Sequence, residues 1–299
     1  MRIDRKAVGT PLSRQVLRRL RRRVSSPDGV SLARRRQIRE TFVPSPNNTP
    51  TNRYGAIAAE MYDLDKPVGS LHDTAFHRDR LAGIPGPILE PACGSGRALI
   101  PLLEAGHEVV GFDASAEMLE NCKARCAERG FSPNLSQQRF EDFHYDRRFG
   151  VVFVPAGSFG LIDDFAAALA VLRRFRDHLV PGGLAVLDVQ PVSALAASGD
   201  SRRSWTADNG DLMICETRRM KADWIAQREE HHTIYERWRD NRRVESWLEP
   251  MALRYWGVEE LTMALREAGF SQIVSIGNYD RRRLPRSGDR VLTFEAVRA

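Results

Sequence analysis

No run of 18 or more apolar residues occurs in the 299-residue chain, so no segment reads as a membrane-spanning helix. The opening MRIDRKAVGT is charged and has no apolar centre, which is not the pattern of a secretory signal. Cysteine is scarce. Cys93, Cys122, Cys126 and Cys215 make no CxxC pair, so no metal site is expected. Cys122 and Cys126 stand four apart on an expected helix and read as buried free thiols. No internal repeat is visible. These absences fit a cytoplasmic protein with no membrane contact.

An excess of one charge is also absent from most of the chain. The formal net charge is +6. Residues 1–40 carry 13 Lys and Arg against 3 acids, and the remainder carries 32 against 36. The basicity therefore belongs to the N-terminal stretch, and the rest gives no reason to expect a nucleic-acid surface. Residues 1–48 hold LRRLRRR at 17–23 and Arg34-Arg35-Arg36, and a polar Pro/Asn segment begins at Pro44. They are expected to form a flexible basic extension. It is either a solvated tail or an arm that touches RNA, a membrane surface or a partner.

What remains, residues 49–299, is patterned. Residues 52–82 read as helical, with a break at Lys66-Pro67-Val68-Gly69. Short apolar strands then alternate with helices. Strands are expected at 87–91, 107–113, 135–140, 149–155 and 184–190, and helices at 97–105, 116–129 and 163–179. This alternation predicts an α/β fold with a doubly wound, mostly parallel, seven-stranded sheet and helices on both faces. Over 200–256 the period changes to strand-like runs at 212–220, 224–238 and 242–256, with a hairpin turn at Asp240-Asn241. They predict an antiparallel β insertion between strands five and six. A helix over 258–268 ends at Gly269, a suitable left-handed cap. Strands at 272–276 and 290–297 close the chain.

In such a sheet the ligand lies beyond the C-terminal ends of the strands. Glu90 ends the first strand and Asp113 the second, so both acids reach one edge. Between them Gly94-Ser95-Gly96 opens a helix, where backbone N–H groups attract anionic groups. A dinucleotide turn needs a third glycine for close helix–strand packing, and Leu99 stands there. A pyrophosphate is disfavoured. S-adenosylmethionine has none. It needs a close backbone, an acid near its ammonium and an acid for its ribose hydroxyls.

EPACGSGR followed by LLEAGHEVVGFDASAEML resembles motifs I and II of the class I S-adenosylmethionine-dependent methyltransferases, most nearly their bacterial small-molecule branch. The similarity continues through Arg148-Phe149, LVPGGLAVLDV (179–189) and LRYWGVEELTMALREAGF (253–270), and spans roughly residues 52–299. The resemblance implies a helical lid over 52–82 and a cofactor site. Glu90 would hold the methionine ammonium, and Gly94 and Gly96 would line the methionine part. Asp113 would accept the ribose hydroxyls, with Ala114 and Met118 flanking the adenine. Arg97 would approach the carboxylate or be a surface residue. Tyr54 and Tyr62 would cover the cofactor or pack the lid. Two positions depart from the pattern. Ala92 replaces the first motif I glycine, which is tolerable if its φ is negative. Arg139 replaces the acid that commonly binds the adenine amino group, leaving Glu141, Asp142 or the backbone near Phe140 to do so.

The acceptor is less constrained. The Asn/Asp-Pro-Pro-Tyr/Phe loop of enzymes methylating nucleic-acid or glutamine amides is absent, and so is the Pro-Cys nucleophile of cytosine C5 enzymes. Ser158 and Phe159 are expected to line the pocket. Adjacent His231 and His232 face opposite sides of a strand, so at most one faces the pocket. His231 is the candidate base, with Tyr235 beside it as a second candidate. Arg254 would bind an acceptor carboxylate or phosphate, or form a structural salt bridge. The expected function is methyl transfer to an N or O atom of a small molecule such as an amino sugar, amino acid or secondary metabolite. The alternative is an RNA or protein methyltransferase, or an RNA-associated protein, that uses the basic arm. The chain is expected to act as a monomer or homodimer.

Overall fold

A computed structural model describes residues 54–69, 72–197 and 199–299. The expected basic extension and the first residues of the lid lie outside the described residues. The N-terminal helices are α1 (Ala56–Asp65) and α2 (His72–Leu81). The alternating region follows, with β1 (Ile88–Pro91), α3 (Leu99–Glu104), β2 (Val109–Asp113), α4 (Ala116–Ala127), β3 (Asn134–Gln137), β4 (Phe149–Val154), α5 (Phe165–His178) and β5 (Leu179–Val189). The insertion contributes β6 (Ser201–Thr206), β7 (Leu212–Asp223), β8 (Arg228–Arg239) and β9 (Arg242–Arg254). The chain closes with α6 (Val258–Glu267), β10 (Phe270–Gly277) and β11 (Leu292–Arg298).

Seven strands form one sheet in the order β10-β11-β5-β4-β1-β2-β3. The pairings β1–β2, β1–β4, β2–β3 and β4–β5 are parallel. β11 runs antiparallel to both neighbours. This is the expected doubly wound sheet. The direction of winding reverses between β1 and β4, which opens a crevice at their C-terminal ends.

The central strands β1, β2, β4 and β5 carry largely apolar, buried runs because both faces are covered. Side chains alternate between two cores with the period of two that a strand imposes. Ile88, Val151 and Phe153 join the core under α3 and α4, with Leu99, Leu119 and Cys122. Leu89, Val152 and Val154 join the core under α5 and α6, with Leu172, Phe175 and Leu265. All four cysteines are free and buried. Helix starts are capped from the sequence: Ser115 Oγ accepts from Met118 N (3.1 Å) and Asp164 Oδ1 from Ala167 N (2.8 Å). Gly269 has the expected positive φ, +92°.

The insertion is a separate four-stranded antiparallel sheet, β6-β7-β8-β9. Asp240 (φ +49°) and Asn241 (φ +59°) turn β8 into β9, as a two-residue hairpin requires. The expected strand over 224–238 begins later. Asp223 Oδ1 accepts from the amides of Ile225 (3.1 Å) and Ala226 (2.9 Å), which folds Trp224 into the turn. Similarly, Pro181-Gly182-Gly183 lies within β5, where a register shift against β4 absorbs it. Helix α1 buries Ile57, Ala58 and Met61 against Met213, Cys215 and Tyr235 of the insertion. Among the described residues, no helix is long and apolar enough to cross a membrane.

Candidate active site

The ends of β1, β2 and β4 open onto a cavity of about 270 Å³ that α1 and the insertion close from above. Asp113 terminates β2 at its wall. Its Oδ1 accepts from Ser115 N (2.8 Å) and its Oδ2 from Gly94 N (2.9 Å). Burial pushes this carboxyl up, and the surrounding backbone N–H groups pull it back down. Each oxygen keeps a lone pair for a further donor, as a pair of ribose hydroxyls requires. Ala114, Met118, Phe140 and Glu141 line the same end. Asp142 does not. It is exposed, and its Oδ1 accepts from Arg139 N (3.4 Å) within its own turn.

The glycine turn works differently from the expectation. Gly94 lines the cavity at φ +55°. Gly96 does not line it. A Cβ there would meet Cys122 Sγ at 2.8 Å, so this glycine serves helix packing under the loop. Ala92 has φ +53°, in the left-handed region where a methyl group is strained. The condition that made Ala92 harmless, a negative φ, is not met. Ala156 (φ +59°) repeats the strain at the end of β4, where its N–H donates to Asp188 Oδ2 (3.0 Å). Two strained alanines thus sit side by side at the crevice, a place where such strain tends to collect.

Glu90 is fully buried beside the cavity rather than on its wall. Burial pushes its carboxyl well above the usual range, with the Arg97 guanidinium opposing. Its Oε2 has no hydrogen-bond partner among the described residues. Such an orphaned buried acceptor is costly unless a donor fills it. Arg97 is neither a surface residue nor on the wall. It is buried, and its two terminal nitrogens donate to Asp73 at 2.9 and 2.7 Å in a bidentate pair. Asp73 lies on α2, so this pair ties the lid to the glycine turn.

The acceptor-side candidates separate. Ser158 and His231 line the cavity, and so do Tyr54 and Tyr62, the lid tyrosines expected over the cofactor. His231 is one step from Glu229 (3.8 Å), and burial lowers its imidazole below the ordinary value. His232 points away, as strand geometry demands. Three residues are placed elsewhere. Tyr235 packs under α1, where burial raises its phenol. Phe159 is buried and stacks on Trp256 at 5.5 Å. Arg254 is buried under that ring and pairs with Glu260 at 2.6 Å, the structural salt bridge rather than the anion site. Alternation along β8 and β9 cannot tell cavity from core when both are closed to solvent.

The structure also adds residues. Gln190, just past β5, reaches the wall. Its Oε1 is buried without a partner among the described residues. Gly157 makes room for it: a Cβ there would lie 2.4 Å from the Gln190 amide nitrogen. Lys66 lines the cavity from the end of α1. Leu161, Ile162, Met251 and Leu253 supply an apolar lining. Nothing in the sequence marked these positions, because each belongs to an element whose facing partner is distant along the chain.

Residues 88–183 match a family described as a methyltransferase domain. The chain is 32% identical over 170 residues to the cypemycin N-terminal methyltransferase of a Streptomyces species, covering 55% of this chain and 67% of that one. The chain belongs to the class I S-adenosylmethionine-dependent methyltransferases. The methyltransferase is also 30% identical over 150 residues to a dTDP-3-amino-3,6-dideoxy-alpha-D-glucopyranose N,N-dimethyltransferase of Streptomyces fradiae, covering 46% of this chain and 55% of that one. Its fold superposes on the CcbJ methyltransferase of Streptomyces caelestis with a TM-score of 0.66 at 23% identity, covering 82% of this chain and 98% of the other. The site fits the methyl donor of this family. The orphaned Glu90 oxygen suits an ammonium, the left-handed Gly94 a close approach, and the Asp113 oxygens a diol.

Proposed function

We propose that the enzyme methylates an amine nitrogen of a small molecule. One observation carries this reading: the acceptor side of the cavity combines the unpartnered Gln190 oxygen with a His231 imidazole whose proton affinity burial has lowered. The rest of that side is mostly apolar. An amine reacts only when unprotonated, and a neutral apolar site admits the unprotonated form. S-adenosylmethionine, when bound, supplies an activated methyl group on a sulfonium. Gln190 accepts an N–H of the acceptor and orients its lone pair. The apolar lining excludes water. After transfer the nitrogen carries an extra proton, and neutral His231 takes it. Positioning supplies much of the rate, so the base is an aid rather than a requirement. Both curated relatives compared above carry nitrogen acceptors in their names, an N-terminal methylation and an amino sugar. Glu90, Gly94, Asp113 and Met118 are assigned to the cofactor under the same reading.

The test is a metabolite screen with a labelled methyl donor, built on matched amine and alcohol pairs. The amine members should take label. Label appearing only on hydroxyl members overturns the reading. A polymeric acceptor methylated only by the chain that retains residues 1–48 would replace it with the arm-dependent alternative.

A further inference from the structure

The methionine end of the cofactor carries a carboxylate as well as an ammonium, and the carboxylate needs a cation. The glycine turn does not provide one. Arg97 spends both terminal nitrogens on Asp73, and NH1 also reaches Thr74 Oγ1 at 3.5 Å. Two of the turn's amides are occupied as well: Gly94 N donates to Asp113 and Gly96 N to Cys93 O (3.0 Å). Arg139 is at the opposite, adenine end and lies 3.4 Å from Glu141.

Lys66 is different. Its Nζ stands 4.6 Å from the centroid of the Tyr62 ring. Its neighbour Asp65 is committed to Arg203. Among the described residues no carboxylate lies within ion-pair distance of Lys66. The segment that follows it is anchored on the turn, where Gly69 N donates to Arg97 O (3.4 Å). Lys66 therefore lines the cavity beside Tyr62, and the charges of Arg97 and Asp73 act on it from the base of the glycine turn.

We propose that Lys66 at the end of the lid helix α1 holds the methionine carboxylate of the cofactor, in place of Arg97. This inference rests on the assignment of the cavity to the methyl donor. Partial burial lowers the Lys66 ammonium, and a bound carboxylate would hold it charged.

The test is a binding cycle by titration calorimetry. The ligands are S-adenosylhomocysteine and its decarboxylated analogue, which keeps the ammonium and lacks the carboxylate. The proteins are the full chain and Lys66→Met. Wild type should prefer S-adenosylhomocysteine about tenfold or more, in the range of a charge-assisted hydrogen bond. Lys66→Met should bind both ligands equally, with its affinity for the analogue unchanged, and Lys66→Arg should restore most of the preference. Lys66→Gln serves if the Met variant does not fold. A variant that keeps the wild-type preference overturns the proposal. So does one that weakens both ligands alike, since Lys66 would then be a structural residue. If wild type binds neither ligand, it is the cofactor assignment that fails.

Discussion

Two walls face each other across the cavity, and they are built in opposite ways. The cofactor wall comes from one short stretch of chain, residues 92–141, in which the turns that follow β1, β2 and β3 face the crevice. The acceptor wall is assembled from three distant segments, the loop after β4, the end of β5, and β8 with β9, and the lid helix α1 closes over both walls. On the first wall a residue's place along the chain predicts its place in the site. On the second it does not. Tyr235 and His231 lie four residues apart on one strand, yet His231 meets the cavity and Tyr235 the packing under α1. The same contrast appears in charge. The cofactor wall carries the acids Asp113 and Glu141, while the acceptor wall shows an amide oxygen and an imidazole whose pKa burial lowers.

Breaking the tie between the lid and the glycine turn that underlies the cofactor wall should have the largest effect. Asp73→Ala leaves Arg97 buried and unpaired, and urea unfolding should show a loss of about 3–5 kcal/mol. A loss below about 1 kcal/mol would mean that Arg97 is free to turn toward the ligand, and that the lid is less firmly joined to the cofactor wall than the pair suggests. Next comes Asp113→Ala on the cofactor wall. Calorimetry with S-adenosylhomocysteine should show affinity reduced about 100-fold, the value of hydrogen bonds to a charged acceptor. Unchanged affinity removes the ribose assignment.

His231 sharpens the other side. Its folded imidazole titrates below the ordinary 6.5, chiefly through burial. Its neutral form is therefore favoured by folding. The stability it contributes is present above pH 6.5 and is lost as pH falls from there toward the lowered folded value. His231→Asn should lose less stability than wild type between pH 7 and pH 5 in thermal melts. If the imidazole also takes the product's proton, turnover below pH 6.5 should fall more steeply in wild type than protonation of the amine accounts for, and that excess should disappear in the variant. The smallest effect belongs to Ala92→Gly. Relief of the left-handed methyl exceeds the entropy that glycine adds to the unfolded chain, and a net gain of about 0.5 kcal/mol is expected in denaturant unfolding. A loss would show that the alanine methyl packs usefully on the crevice.

Much of the frame is legible in the sequence alone. Apolar runs four to six residues long, separated by helices with clear caps at Ser115 and Asp164, carry the parallel sheet in their own pattern. The Asp-Asn pair at 240–241 announced its hairpin, and Gly269 its cap. Within the site, Asp113, Gly94 and Met118 were readable because a strand end, a turn and the first helical turn are local geometry. Arg97 was not. A first-turn arginine can face solvent, a ligand or a buried acid, and only the position of α2 chose Asp73. Phe159 and Arg254 were undecidable for the same reason, since Trp256 gathers both into the core from separate elements.

By itself, then, the sequence determined the sheet, its order of elements and the acids at the ends of β1 and β2, because each follows from hydrogen bonds and side-chain periods between near neighbours. The tertiary structure decided which residues close the site. Gln190, Lys66 and His231 share one cavity only because the lid and the insertion fold back over the strand ends. Their meeting depends on long-range packing of Ile57, Ala58 and Met61 on the insertion and on the buried Arg97–Asp73 pair, neither of which has a signature in any one stretch of chain.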